Sequence, residues 1–290
     1  SGSLKGVGAS ANLATGGIRA MTMALISSGV GVFVVALGAL AGGIGGVISK
    51  SKEFEKALST LEAVTGSSKS ELAKKLGSTT AFTASQVLEL QTELAKLGFK
   101  TDEIKDSTAS ILDLAASLDV DLASAAEFSG SLVKSFGLTT EETSRVVDVM
   151  ALSTSSSALN FEGLRESLKL VAPVAKATGT SIEKTTALLG VLADRGLKGS
   201  IAGTGLGQTF VELNKKGLTL EQAMEKVSNS SNKLGTAMKL VGTRGGRALL
   251  TLAEGANDIA KLEQTFIDAE GAAKKMAEIK LDNLAGDTTK

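Results

Sequence analysis

The sequence predicts an all-α chain of successive capped helical hairpins, elongated, with one apolar, glycine-rich, transmembrane-like segment near its start. Three observations predict this. The composition is that of helices: a single proline stands in 290 residues, and nine Phe are the only aromatic side chains. Apolar residues recur at helical spacing. The periodic segments are separated by a glycine, then a Ser or Thr with Glu or Gln three places on, the pattern of one helix ending and the next being capped.

The first 19 residues read as a Gly/Ser-rich leader. With no initiator Met there, and an abrupt stop over residues 287–290, the chain reads as a piece of a longer polypeptide. Residues Ala20 to Ser49 then run thirty positions without a charge, between Arg19 and Lys50. Their centre carries Val30, Phe33, Val34, Val35, Leu37, Gly38 and Leu40. A transmembrane helix needs about 20 apolar residues, so the run is long enough to span. Its second half, Gly38 to Gly46, holds five glycines, and glycine costs about 1 kcal/mol against alanine in a helix. The pairs Gly38/Gly42 and Gly42/Gly46 have the small-xxx-small spacing that lets helices approach closely. Three readings stay open: a membrane span, a packed bundle of several copies, and the core helix of a monomer. A signal peptide does not fit, because the run starts too late, is too long and lacks a cleavage site.

From residue 50 to 286 the chain reads as one helical core. Capping boxes are predicted at Ser68/Glu71, Thr83/Gln86, Thr139/Glu142, Thr180/Glu183 and Thr219/Gln222, where hydroxyl and carboxylate or amide satisfy two orphan backbone amides. Gly66, Gly98, Gly137, Gly179 and Gly217 lie just upstream and suit the left-handed conformation that ends a helix. Ile104, Thr108, Ile111, Ala115 and Leu118 mark one helical stripe. Leu164, Leu168, Val171 and Ala175 mark a second, and Ile182, Thr186, Leu189 and Ala193 a third. The joints at Gly98, Gly137, Gly179 and Gly217 stand 39, 42 and 38 residues apart, the length of a two-helix repeat. That spacing suits either an elongated helical array or ordinary hairpins sharing good capping chemistry. The serine-rich Ala151 to Asn160 is expected to be a loop before a helix starting near Phe161. Pro173 should kink or split its helix, since it removes a backbone bond.

Composition limits the chemistry. With 31 basic and 31 acidic residues no net field draws nucleic acid or an anionic surface, and no sequence-specific nucleic-acid partner is expected. The absence of Cys removes thiolate nucleophiles, disulfides and thiolate metal sites, and the absence of His removes the commonest general base and metal ligand. No catalytic, cofactor-binding or metal-binding residue is therefore assigned, and no cofactor is expected. The glycine-rich Arg195 to Gly207 lacks the P-loop pattern and a preceding strand, so flexible-loop or close helix packing is the better reading, with Arg195 and Lys198 as the cations that could meet a phosphate. Val241 to Arg247 reads as a solvated basic turn. The acid pairs Asp102/Glu103, Asp119/Asp121 and Glu141/Glu142 are placed at helix starts, where the macrodipole favours them.

Several stretches, in order, resemble the core of phage tail tape measure proteins. They are Phe54 to Gly66 (FEKALSTLEAVTG), Leu94 to Phe99 (LAKLGF), Ser135 to Val149 (SFGLTTEETSRVVDV), Val171 to Ala175 (VAPVA), Leu192 to Leu206 (LADRGLKGSIAGTGL), Gly242 to Leu249 (GTRGGRAL) and Gly271 to Glu278 (GAAKKMAE). The parts around Asp148 and around Gly203-Thr204 are the most specific, while Gly207 stands where a larger residue is expected. The resemblance implies a structural virion protein in the tail-tube lumen, a homo-oligomer of a few copies, such as a trimer. It would act in tail assembly and length determination, with tail-tube, tail-tip or baseplate proteins and tail assembly chaperones as partners. It further implies release ahead of the DNA, with the Ala20–Ser49 run helping to form a channel in the host membrane. A core broken into capped hairpins is not expected to be the ruler itself, which wants continuous helix at about 1.5 Å per residue. The reading from another class is a membrane-anchored helical-repeat binding scaffold. A peptidoglycan-cleaving activity would have to lie outside these residues.

Overall fold

The computed structural model describes residues 44–66 and 70–287. Among them are thirteen α-helices and one short 3-10 turn. In chain order these are α1 (Ile44–Thr65), α2 (Glu71–Thr79), α3 (Ala84–Lys96), α4 (Thr101–Leu118), α5 (Leu122–Phe136), the 3-10 turn Thr140–Glu142, α6 (Thr143–Ser156) and α7 (Phe161–Ala177). They continue with α8 (Ile182–Asp194), α9 (Gly199–Lys215), α10 (Leu220–Ser228), α11 (Lys233–Glu254), α12 (Ala256–Ile267) and α13 (Ala272–Asp287). Contacts divide the chain into two units, one ending at Leu88 and one starting at Glu89.

Helix ends fall where the glycine pattern predicts. Gly66, Gly98, Gly137, Gly179 and Gly217 all have φ between 64° and 82°, a conformation that glycine enters without steric cost. Two predicted capping boxes close reciprocally: Thr83 N–H donates to Gln86 Oε1 (2.8 Å) while Gln86 N–H donates to Thr83 Oγ1 (3.3 Å), and Thr219/Gln222 repeats this at 3.0 and 3.2 Å. At Thr139/Glu142 the box introduces the 3-10 turn. The Thr180/Glu183 box does not form. Ser181 takes the cap, its Oγ accepting from Lys184 N–H at 3.1 Å, because the Glu183 carboxylate is engaged by Arg145 of α6. Ser68 lies outside the described residues.

In the first unit α1 presents Phe54, Ala57 and Leu61 as one buried stripe, with Ala73, Ala84, Val87 and Leu88 also buried. The Lys74 ammonium stands 5.8 Å from the Phe54 ring centroid. Gly77 is where the chain folds back most tightly: a Cβ there would lie 2.5 Å from Ala84 N.

In the second unit, stacked hairpins place α4, α6 and α8 in one layer and α5, α7, α9 and α11 in another. The side-chain contacts between neighbours of a layer join residues about one sequence period apart. Ser107 Oγ meets Thr143 Oγ1 (3.1 Å), Arg145 pairs with Glu183, Ser167 Oγ donates to Gly199 O (2.8 Å), and Thr209 Oγ1 donates to Gly245 O (3.3 Å). Their separations of 36, 38, 32 and 36 residues run somewhat shorter than the spacing of the glycine joints. Phe128 and Phe161 add an edge-to-face pair at 5.5 Å between α5 and α7. The central α8 is buried on every side from Ile182 to Ala193 apart from Lys184, the pattern of a helix enclosed by others.

Within this unit the hairpins do not remain a single open row. The chain returns, so that α12 lies on α8 and α13 lies on α4 and α6, covering one face of the first layer. An open solenoid leaves such contacts to sequence neighbours. Here apolar faces remain on α4, α6 and α8 after the two layers have stacked, and the last helices bury them.

Four local expectations also change. Ala151 to Ser156 is helix, not loop, because α6 continues to Ser156 and only residues 157–160 connect it to α7. Its hydroxyls bond back to the preceding turn, as in Ser153 to Met150 O (2.8 Å) and Thr154 to Ala151 O (2.9 Å), so the serines do not compete with the helix. Pro173 does not split α7, and its ring is on the exposed side. Val241 to Arg247 is not a solvated turn but the middle of α11, broken at Gly242 (φ 75°, ψ 176°). Asp119 ends α4 in the left-handed conformation (φ 57°) instead of starting a helix, while Asp121 caps α5.

Candidate functional site

The predicted apolar segment lies almost wholly beyond what the structure describes. Val30, Phe33, Val34, Val35, Leu37, Gly38, Leu40 and Gly42 are outside the described residues, and Gly46 falls in the first turn of α1. Helix α1 runs across the Ser49/Lys50 junction without interruption. Among the described residues no helix is long and apolar enough to cross a membrane.

The two segments singled out around Gly203 and Asp148 instead build the two tightest features of the second unit. The first is a helix crossing. The glycines of α9 do not form a phosphate loop; Gly199 opens the helix at φ 56°, while Gly203, Gly205 and Gly207 lie in regular helix, with Gly203 and Gly205 against α7 and α11. At Gly203 a Cβ would lie 2.5 Å from Ser167 O and 2.8 Å from its Cα, so only glycine fits. At Gly205 an added Cβ would lie 3.1 Å from Ala248 Cβ and 3.4 Å from the Arg244 carbonyl. Arg195 is spent on Asp258 (2.8 Å), holding that carboxyl below its usual range. The Glu166 carboxylate lies where a side chain on Gly199, at the start of α9, would project. Close helix packing, the alternative weighed for this stretch, is what the residues do.

Lys216, just past the end of α9, caps α11 on the N-terminal side of its break at Gly242. Gly242 interrupts the helix, leaving carbonyls that no downstream amide can reach. The Lys216 ammonium donates to Lys239 O (2.8 Å) and to Leu240 O. Arg244 and Arg247, in the second half of α11, are exposed.

The second feature is Asp148. It sits in the apolar run RVVDVMAL of α6 and is 4% exposed. Its Oδ2 accepts from Gly271 N–H and its Oδ1 from Ala273 N–H, both at 2.9 Å. These are orphan amides at the start of α13, so Asp148 does the work of an N-cap residue from a helix 123 positions away. Gly271 makes the turn into α13 at φ 74°. Beside Asp148, Asp113 of α4 is partly buried between α6 and α13. Burial pushes its carboxyl up to about 6; Lys274 pulls it down, while Glu278 and Asp148 push it further up. Sequence reading missed Asp113 and Lys216 altogether. For Asp148 the available signal was a lone carboxylate on an apolar stripe, which is buried only when something pairs with it.

Neither feature has the parts of a reaction centre. Among the described residues no three acidic side chains come together in metal-ligating geometry.

The family model described as "Phage-related minor tail protein" matches residues 70–279. The chain belongs to this family of phage tail tape measure proteins. It is 30% identical over 272 residues to the tape measure protein of Pneumococcus phage Dp-1, covering 82% of this chain and 24% of that protein. It is 28% identical over 296 residues to the probable tape measure protein of Escherichia phage P2, covering 89% of this chain and 36% of the relative. The chain thus spans about a quarter to a third of the length of these relatives. No solved structure matches. The family is one of structural tail components rather than enzymes, and the match runs from Ser70, before α2, into α13, taking in both the Gly203 crossing and the Asp148 clasp.

Proposed function

We propose that this chain is the folded helical core of a tail tape measure protein, housed as a small homo-oligomer in the tail-tube lumen near the tip. It acts there in tail assembly and length determination, with tube, tip or baseplate proteins and assembly chaperones as partners, and leaves the tube on genome ejection. The Ala20–Ser49 run then helps form a channel in the host membrane. The observation that carries this reading is the family match over 70–279. The physical reading supports a division of labour: the longest uninterrupted helix described, α1, has 22 residues, about 33 Å at 1.5 Å per residue. The core is therefore a plug or docking body, and the ruler belongs to other parts of the parent chain.

The test is an in-frame deletion of residues 70–279 from the parent gene, with tail length measured by electron microscopy. If these residues act as ruler, tails should shorten by about 1.5 Å per deleted residue, on the order of 300 Å in all. The proposal expects failed or unsealed tails, or tails of unchanged length. Uniformly shortened tails would refute it.

A further inference from the structure

Helix α13 is held to the rest of its unit in an unusual way. Of its side chains from Ala272 to Asp282, only Ala273 and Ala277 are buried, while Ile279 is 55% exposed. Alanines bury little apolar area, so the hydrophobic anchorage of this helix is weak. The preceding α12, by comparison, buries Ile259 and Phe266. Besides its packing on α4 and α6, where Met276 and Leu281 are half-buried, α13 is held by the Asp148 carboxylate on its first amides, a charge-assisted interaction shielded from water. The charges facing that junction are Asp113 on α4, Asp148 on α6, and Lys274 and Glu278 on α13 itself. Three carboxylates therefore share one ammonium.

We propose that α13 is a releasable latch, which lifts from α4 and α6 as a unit while α7, α9 and α11 stay folded. Asp148 is its catch, and the charge on the Asp113 cluster sets its grip. Lifting uncovers the face of the first layer, the face that an open helical array would present to a partner. A segment with few apolar contacts and a local hydrogen-bonded anchor belongs to the low-stability end of a fold.

Burial in the folded unit, to which α13 contributes, makes Asp113 hold its proton more tightly than in water, against the pull of Lys274, so the burial that α13 supplies favours docking with Asp113 neutral. That advantage is present at acid pH and is lost as pH rises through about 6, where Asp113 becomes a third negative charge beside Asp148 and Glu278.

The experiment is amide hydrogen exchange read by mass spectrometry on the whole chain at about pH 5 and about pH 7, corrected for intrinsic exchange. Residues 271–282 should exchange through an opening that leaves α7, α9 and α11 protected. Their protection should be greater at the lower pH, by at most about tenfold, the limit reached if α13 supplies the whole rise. Asp113→Asn should flatten that pH dependence. Asp148→Asn should cut protection of α13 by tenfold or more without changing that of α9. Exchange of α13 only in step with α7, α9 and α11 would overturn the latch. So would an Asp148→Asn effect spread evenly over the unit. Should Asp148→Asn fail to fold, the wild type and Asp113→Asn still decide, since identical pH profiles in the two would remove the charge control.

Discussion

Replacing Gly203 by alanine should destabilise the second unit, although alanine is the better helix former. An added Cβ would meet Ser167 O at 2.5 Å, Cα at 2.8 Å and C at 3.0 Å. All three are backbone atoms, so no side-chain rotation relieves the clash, and α7 and α9 must separate by several tenths of an ångström or more. Overpacking of this kind costs about 1–3 kcal/mol. Separation also stretches the Ser167 Oγ bond to Gly199 O, worth about 1 kcal/mol. Against these stands a gain of about 1 kcal/mol in helix propensity. The net loss is about 1–3 kcal/mol. The control lies one turn on: at Gly207 the nearest atom to an added Cβ is Leu170 O at 3.9 Å, an ordinary contact. There the propensity gain stands alone, and Gly207→Ala should stabilise by about 0.5–1 kcal/mol. Urea unfolding followed by far-UV circular dichroism suits a chain without Trp or Tyr. Equal midpoints for the two variants, or a more stable Gly203→Ala, would refute the close-crossing argument.

Four further outcomes are expected. Lys216→Met should leave the Lys239 and Leu240 carbonyls uncapped and cost about 1–2 kcal/mol, with faster amide exchange confined to the two halves of α11. Thr186→Val should be neutral or stabilising by about 1 kcal/mol in thermal unfolding, because the buried Thr186 hydroxyl has no hydrogen-bond partner. Asp121→Ala should cost about 1 kcal/mol; the Ser124 amide holds the Asp121 carboxyl below its usual range, so this stabilisation is present at neutral pH and lost as pH falls through the depressed value, and mutant and wild-type midpoints should converge in acid. In dye-release assays on liposomes, the isolated segment 20–49 should lose activity on Val34→Asp, whose insertion penalty is about 2.5–3.5 kcal/mol at the bilayer centre; equal release by the two peptides would leave the run without a membrane role.

Much of this protein was legible before any coordinates, because capping and left-handed glycine are local physics. Five glycines ended five helices, and Thr83/Gln86 and Thr219/Gln222 closed as boxes, since all the atoms involved lie within about four residues of each other. The period near 40 was legible too, and the contacts roughly one period apart between Ser107 and Thr143 or Ser167 and Gly199 give it a physical basis. Local patterns failed where a distant residue competed for the same group. Glu183 left its cap because Arg145 reached it first, and the serines after Ala151 kept to their helix because Ala151 and Ser153 are buried in the core. Only the tertiary structure could decide that α13 returns across α6, that Asp148 finds its partners 123 and 125 residues away, and that Gly203 must be glycine. A sequence specifies the torsions that each residue can adopt; which surfaces meet depends on the sum of all of them, and the Asp148 and Gly203 contacts exist only after that sum is taken.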